Sequence, residues 1–267
     1  MRPRGFLYAA GLMMGLACVA SAAPADATGF TARIRQEMTV GKLNAATDYQ
    51  AKFLGDRQFR VEGTMTLSSP KEQQSTLTIA SDGLMVRQIE QGPDGRRAVT
   101  VDLERVHKAM PGYDPVLTYD PRAYRSLLTD GRAVSLGEGT LDGIAVTRYQ
   151  ADLPRGRLSL PANVALWLPE PAKVRFWLCP ADGMVRHVEL DDPNGATFLK
   201  VTYSDVRSGI AIDPNDFKLK FPESLAPRDI TEALISMLSA SRLPPATPEQ
   251  QTRQKPSEAK PAEKATP

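Results

Sequence analysis

The chain has 267 residues, with 33 Lys plus Arg against 31 Asp plus Glu, a formal net charge of +2 at pH 7. Arg2 and Arg4 lie in an N-terminal leader; without them Lys plus Arg and Asp plus Glu balance, which excludes the basic footprint of a nucleic-acid binder. Of the two cysteines, Cys18 also falls in the leader, so the remaining chain holds only Cys179 and no intramolecular disulfide; Cys179 is expected to be a small buried apolar residue.

In chain order, residues 1–22 carry Arg2 and Arg4, an apolar run over 6–20, and the small triplet Ala20, Ser21, Ala22. Basic, then apolar, then small is the pattern of a cleavable secretory signal peptide. Gly11 and Gly15 interrupt the run, which is too short to span a membrane comfortably, so no integral span is expected after cleavage. Lipid attachment at Cys18 is the rival reading, but Leu16 stands one place too late for the usual lipobox. Cleavage after Ala22 is preferred, with the periplasm as the expected location.

Strand signals dominate the next two hundred or so residues, a length that suits one domain over 30–241. Over 59–68, Phe59, Val61, Met65 and Leu67 alternate with Arg60, Glu62, Thr64 and Thr66, a period of two that makes one face dry and one wet. The alternation returns at Leu77 and Ile79, at Val99, Val101 and Leu103, and at Phe217, Leu219 and Phe221; a strand is also expected from Leu84. Such alternation indicates antiparallel strands, since parallel strands buried on both faces read as continuous apolar runs. Turn dipeptides punctuate these runs at Asp82-Gly83, Asp94-Gly95, Asp130-Gly131, Asp142-Gly143, Asp182-Gly183 and Asn194-Gly195. Their residues accept the positive φ of tight hairpins, so the chain is expected to run mostly as a meander.

Helical signals are few. Asp120 and Pro121 can open a short helix over 121–129 with Tyr124, Leu127 and Leu128 on one face. Asp229 can cap a second helix, in which Ile230, Ala233, Leu234, Met237 and Leu238 recur at helical spacing and Glu232 stands three residues past the cap. That helix is expected to pack as a lid on the sheet's edge or mouth. Its polar side lacks Lys and Arg, which argues against a membrane-surface helix. Residues 242–267, rich in Pro, Ala, Glu, Lys and Gln with no aromatic residue, cannot bury enough apolar surface to fold and are read as a disordered tail.

Catalytic patterns are absent from the sequence. It contains no HExxH, paired Cys-x-x-Cys, GxSxG elbow or Gly-rich phosphate loop, so no cofactor and no metal are expected and the chain is read as not an enzyme. His107 and His187 each alternate with apolar neighbours and are expected in strands. The stretch Asp191-Asp192-Pro193-Asn194-Gly195 lacks the spaced ligands and closing Glu of a calcium loop and reads as a hairpin turn.

The segment 182–190, the hairpin into Leu199-Lys200-Val201-Thr202-Tyr203, and the run from Ile212 through Pro214, Phe217, Leu219 and Phe221 to Pro222 resemble the closing strands of the LolA-like periplasmic lipoprotein carriers. The strand over 57–65, followed by Ser81-Asp82-Gly83 and a strand from Leu84, is similar in order and spacing. The resemblance implies a LolA/LolB-like fold: a mainly β, curved antiparallel sheet forming a half-open β-barrel with a few short covering helices. It further implies an apolar cavity that carries lipid or lipoprotein acyl chains.

On that expectation the cavity is lined by Phe59, Val61, Met65, Leu67, Leu77, Ile79, Val99, Val101, Val174, Phe176 and Leu178. Arg57 matches the position of an arginine that latches the lid in such carriers. The carriers open with an amphipathic helix, whereas few residues separate Ala22 from Phe30 here; the helix with Ile230, Leu234, Met237 and Leu238 would replace that lid. The alternative function is an envelope interaction or stress-sensing module that binds a protein partner instead of lipid.

Overall fold

A computed structural model describes residues 29–41, 43–55, 57–68, 72–110, 120–122, 124–129, 131–152 and 173–241, and for Val40, Leu43, Ser126, Met237, Leu238, Ala240 and Ser241 the backbone alone. The signal peptide, the tail and Asp130 lie outside the described residues.

Among the described residues twelve strands form one sheet. They are β1 (Gly29–Val40), β2 (Leu43–Leu54), β3 (Gln58–Ser68), β4 (Glu72–Asp82), β5 (Met85–Gly92), β6 (Gly95–Asp102), β7 (Ala133–Leu141), β8 (Ile144–Asp152), β9 (Lys173–Cys179), β10 (Met184–Asp191), β11 (Thr197–Ile210) and β12 (Arg228–Asp229). Their order is β12-β6-β5-β4-β3-β2-β1-β11-β10-β9-β8-β7, so two meanders join where β1 pairs with β11. Every pairing is antiparallel except that of β12 with β6. The outermost strands β7 and β12 do not pair with each other, so the sheet is an open, curved half-barrel, as expected from the sequence.

Five of the marked glycines, Gly83, Gly95, Gly143, Gly183 and Gly195, take positive φ at turns between paired strands as expected, whereas Gly131 precedes β7 and closes no hairpin, and the turns at Gly41 and Gly55 are not among those marked. Between β4 and β5, Gly83 takes φ 95° while the Asp82 carboxylate accepts from the Leu84 and Met85 amides at 3.0 and 2.9 Å. Leu84 is itself in this turn and largely exposed; the strand starts at Met85.

Two connections run over opposite faces. Asp102 ends β6 by accepting from the Arg105 amide at 3.0 Å, which caps helix α1 (Leu103–Ala109). Leu103 and His107 are therefore helical and do not continue the alternation of β6: the cap stops the strand and turns Leu103 and Val106 into the core. Helix α2 (Arg125–Thr129) follows and leads to β7. It is shorter than the expected 121–129, because Asp120 closes a turn on the Arg122 amide and the Pro121 carbonyl accepts from the Val185 amide.

After β11 the chain crosses the outer face. Its 3-10 helix, Pro214–Phe217, lies against β3 and β4, with Asp216 bound to Lys52 at 2.8 Å and its carbonyl to Arg60 Nη1 at 2.9 Å. The strand expected through Phe217, Leu219 and Phe221 is thus not one. Asp213 accepts from the Asn215 amide and starts the 3-10 turn that buries Phe217, and 218–222 are irregular. Helix α3 (Thr231–Ser241) then packs on α1 and β6. Asp229 caps it as anticipated, accepting from the Thr231 amide and hydroxyl at 2.8 and 2.6 Å, while Glu232 pairs with Arg105 across to α1.

Candidate functional site: the concave face

Strand parity divides the sheet cleanly. The inner face carries one large apolar cluster drawn from both meanders, including Phe30, Ile34, Phe53, Phe59, Val61 and Phe176, from the helices Val106, Leu127 and Leu234, and, from the turn before α2, Tyr124. The outer face carries ion pairs such as Arg33–Asp48 and Arg35–Glu37. Apolar area removed from water stabilises by roughly 25 cal/mol per Å², so the aromatic side chains dominate this cluster. Phe30 stacks on Phe53 with centroids 4.5 Å apart, and Phe176 takes Tyr149 at 5.4 Å and Tyr124 of the crossover at 6.1 Å.

The eleven residues expected to line a cavity stand on the inner face, in separate groups. Phe59, Val61, Leu77, Ile79, Val101, Val174 and Phe176 join the large cluster, with Leu178 packed against it. Met65 and Leu67 form a second, smaller cluster with Ala45, bridged to the first by Met38. Val99 is buried beside Gln88 of β5. Of the lid residues, Leu234 is buried in the large cluster and Ile230 packs on it.

Arg57 stands exposed in the turn between β2 and β3. That same turn is engaged by a residue the sequence did not single out. Arg122 Nη2 donates to the Gly55 carbonyl at 2.8 Å and to Asp120 at 2.6 Å, Arg122 Nε donates to both Asp120 oxygens at 3.0 Å, and the guanidinium lies 4.8 Å from the Phe30 ring centre. Arg125 fastens the other side of the crossover, donating to the carbonyls of Gly183 at 2.5 Å and Asp182 at 2.9 Å. Two arginines therefore hold the crossover to both meanders.

On the outer face a depression of about 390 Å³ is rimmed by Arg33, Lys52, Arg60 and Arg207, but the first three are already paired with Asp48, Asp216 and Glu62. On the same face, His187 of β10 has Nδ1 2.9 Å from Thr202 Oγ1 and Nε2 3.4 Å from Glu189 Oε1, with Trp177 edge-on at 4.8 Å. A carboxylate only accepts, so the neutral ring donates from Nε2 and accepts from the Thr202 hydroxyl at Nδ1.

Burial holds the His187 imidazole below its ordinary pKa, opposed by Glu189. A folded-state value below the unfolded one means that the unfolded chain binds more protons in acid. The contribution of neutral His187 is therefore present above about pH 6.5 and lost as the pH falls below it. Denaturant unfolding from about pH 7.5 to 5.5 is expected to show a stability loss that is smaller in His187→Gln; equal losses in the two proteins would contradict the assignment.

Among the described residues no group of three His, Cys, Asp or Glu side chains could hold a metal ion, and no helix is long and apolar enough to cross a membrane.

No family model and no curated protein matches the chain. Solved structures that it is similar to include an uncharacterized conserved protein from Thermus thermophilus, at 11% identity over 76% of this chain and 91% of that one, TM-score 0.41. A putative outer membrane lipoprotein-sorting protein domain from Vibrio parahaemolyticus matches at 14% identity over 71% of this chain and 89% of that one, TM-score 0.29. The Pseudomonas aeruginosa MucA/MucB complex matches at 8% identity over 72% of this chain and 56% of that one, TM-score 0.34. At such TM-scores the likeness assigns no function to this chain.

Proposed function

We propose that this chain is an exported, non-catalytic, periplasmic binder or carrier of lipid or lipoprotein acyl chains, and that the concave face of the sheet is its binding surface. The observation that carries the reading is the open sheet itself: its inner face presents one apolar cluster running from β6 to β8, and it is spanned by a crossover tied down at two arginines instead of being closed by strand pairing. A sheet that stops short of closure and is covered by short helices provides the concave, apolar, partly covered surface typical of small-molecule sites. Phe59, Val61, Ile79, Val174 and Phe176 are the proposed chain-contacting residues, with α3 as the lid.

Native mass spectrometry of protein purified from a bacterial envelope is expected to show one or two acyl lipids bound. Ligand-free protein under gentle extraction, with no uptake of added lipid, would overturn the reading.

A second reading, an interaction module for an envelope protein, is favoured by the β7–β8 hairpin. It leaves Val134, Leu136 and Ile144 exposed, and β7 is an edge strand that an extended segment of a partner could extend.

A further inference from the structure

Large apolar side chains left in water call for a cover when they gather in one place. Among the described residues four such side chains are exposed, and three of them, Val134, Leu136 and Ile144, lie on the β7–β8 hairpin. β7 is also an edge strand, of the kind that natural sheets blunt with Lys, Pro or a covering element. It carries Glu138 as its one charged residue and has neither Lys nor Pro. The opposite end of the sheet is β12, two residues long, with α3 packed on β6 beside it. Among the described residues β7 is therefore the one long edge open to pairing.

The hairpin fixes which backbone groups are free. Its turn is Asp142-Gly143, at φ 49° and 79°, a two-residue loop that closes on the Leu141–Ile144 pair. In such a loop the closing pair is the hydrogen-bonded one, and the alternation of an antiparallel ladder then turns the N–H and C=O of Glu138 and Thr140 away from β8. A register shift between Ser135 and Gly137 is a bulge that ends the straight edge on the other side, which leaves 137–141 for pairing.

We infer that the occupant of this edge is β7 of a second copy of the chain, paired antiparallel about a two-fold axis at Gly139. A two-fold that lays β7 antiparallel beside its own copy stands normal to the sheet and sets one residue opposite itself. Centred on Glu138, it opposes two carboxylates; centred on Thr140, it sets Glu138 opposite Asp142 of the copy; centred on Gly137, it runs into the bulge. Centred on Gly139, it sets Glu138 opposite Thr140 of the copy, whose hydroxyl donates to the carboxylate. It also sets Leu141 opposite Gly137, where a side chain meets open space, and brings Val134 and Leu136 beside the turn of the copy. With one such edge per chain the pairing closes at two copies and builds no filament, and both concave faces open to the same side. The inference goes beyond the carrier reading and does not depend on it.

The test is sedimentation velocity of the full exported chain over a dilution series, with variants chosen to leave the single chain intact. Thr140 is exposed, and a Cβ at Gly139 meets nothing within 4 Å. The wild type is expected to dimerise. Thr140→Glu, which sets like charges opposite each other twice, is expected to weaken the dimer about tenfold, and Thr140→Lys to tighten it. Gly139→Cys is expected to form an intermolecular disulfide on mild oxidation, because the axis brings its two copies together, whereas Ser135→Cys, far from its own copy along the strand, is not. Should Thr140→Glu not fold by circular dichroism, the two cysteine variants carry the comparison.

A monomer at every concentration would overturn the inference. So would a dimer indifferent to the charge at position 140, or a Ser135→Cys cross-link equal to that of Gly139→Cys. A monomer whose β7 amides gain hydrogen-exchange protection only when envelope extract is added would assign the edge to another protein and overturn it as well. None of these outcomes bears on lipid binding, so the carrier reading stands or falls separately.

Discussion

Gly63→Ala is expected to destabilise the protein by about 3 kcal/mol, the upper range for forcing an extra methyl into a packed site. A Cβ on Gly63 would stand 1.9 Å from the Asp48 carbonyl oxygen and 2.8 Å from the Tyr49 Cα, so the obstacle is backbone and cannot swing aside. Gly63 faces inward in β3, paired with Tyr49, where a close approach of neighbouring strands requires the absence of a side chain. Gly92→Ala is the matched control, because its Cβ would meet only the Ser75 Cβ at an ordinary 3.5 Å. Urea unfolding of the pair should show a large loss for Gly63→Ala and less than about 1 kcal/mol for Gly92→Ala. Equal midpoints would mean that the strands do not approach each other at Gly63 as described.

Arg122→Ala is expected to cost about 3–5 kcal/mol, because it leaves the Asp120 carboxylate buried without its cation. The Asp120 side chain is 5% exposed and that of Arg122 16%, so solvent screens the pair little. The same substitution removes the donor to Gly55 and the cation over Phe30, freeing one side of the crossover. Hydrogen exchange should rise first in 120–132 and in the turn at Gly55, before the strands of the first meander exchange. Replacing both partners by apolar residues, as in Arg122→Met with Asp120→Leu, should recover part of the loss, since removing a buried pair costs less than orphaning one member. A single variant no less stable than the double variant would contradict this account of the crossover.

The inner face was legible in sequence wherever alternation was unbroken, as in β3, where Phe59, Val61, Met65 and Leu67 all point inward. Hairpins were legible because Asp-Gly and Asn-Gly carry their own geometry. The outer crossing was not: Phe217, Leu219 and Phe221 alternate as a strand would, and only the Asp213-Pro214 pair signalled a 3-10 start. His107 was misplaced for a related reason, since the capping carboxylate of Asp102 overrides a pattern that three more residues could have continued.

The inward polar residues of β5 were hidden by the rule that exposed the rest. In β5, Gln88 and Glu90 point inward and Ile89 does not, so period-two reading alone assigns that strand's faces the wrong way round; only its pairing with Ile79, Leu77 and Val99 fixes them. Arg122 went unnoticed because, besides the adjacent Asp120, the groups it holds, Gly55 and Phe30, are distant in sequence.

Photocrosslinking with a fatty acid carrying a terminal diazirine, followed by peptide mapping, tests most directly whether the concave face is the binding surface. Adducts are expected at inner-face residues of both meanders, among them Val61, Ile79, Val174 and Phe176, and to disappear when unlabelled lipid competes. Adducts confined to outer-face residues such as Thr64 and Lys200, or spread evenly over both faces, would contradict it.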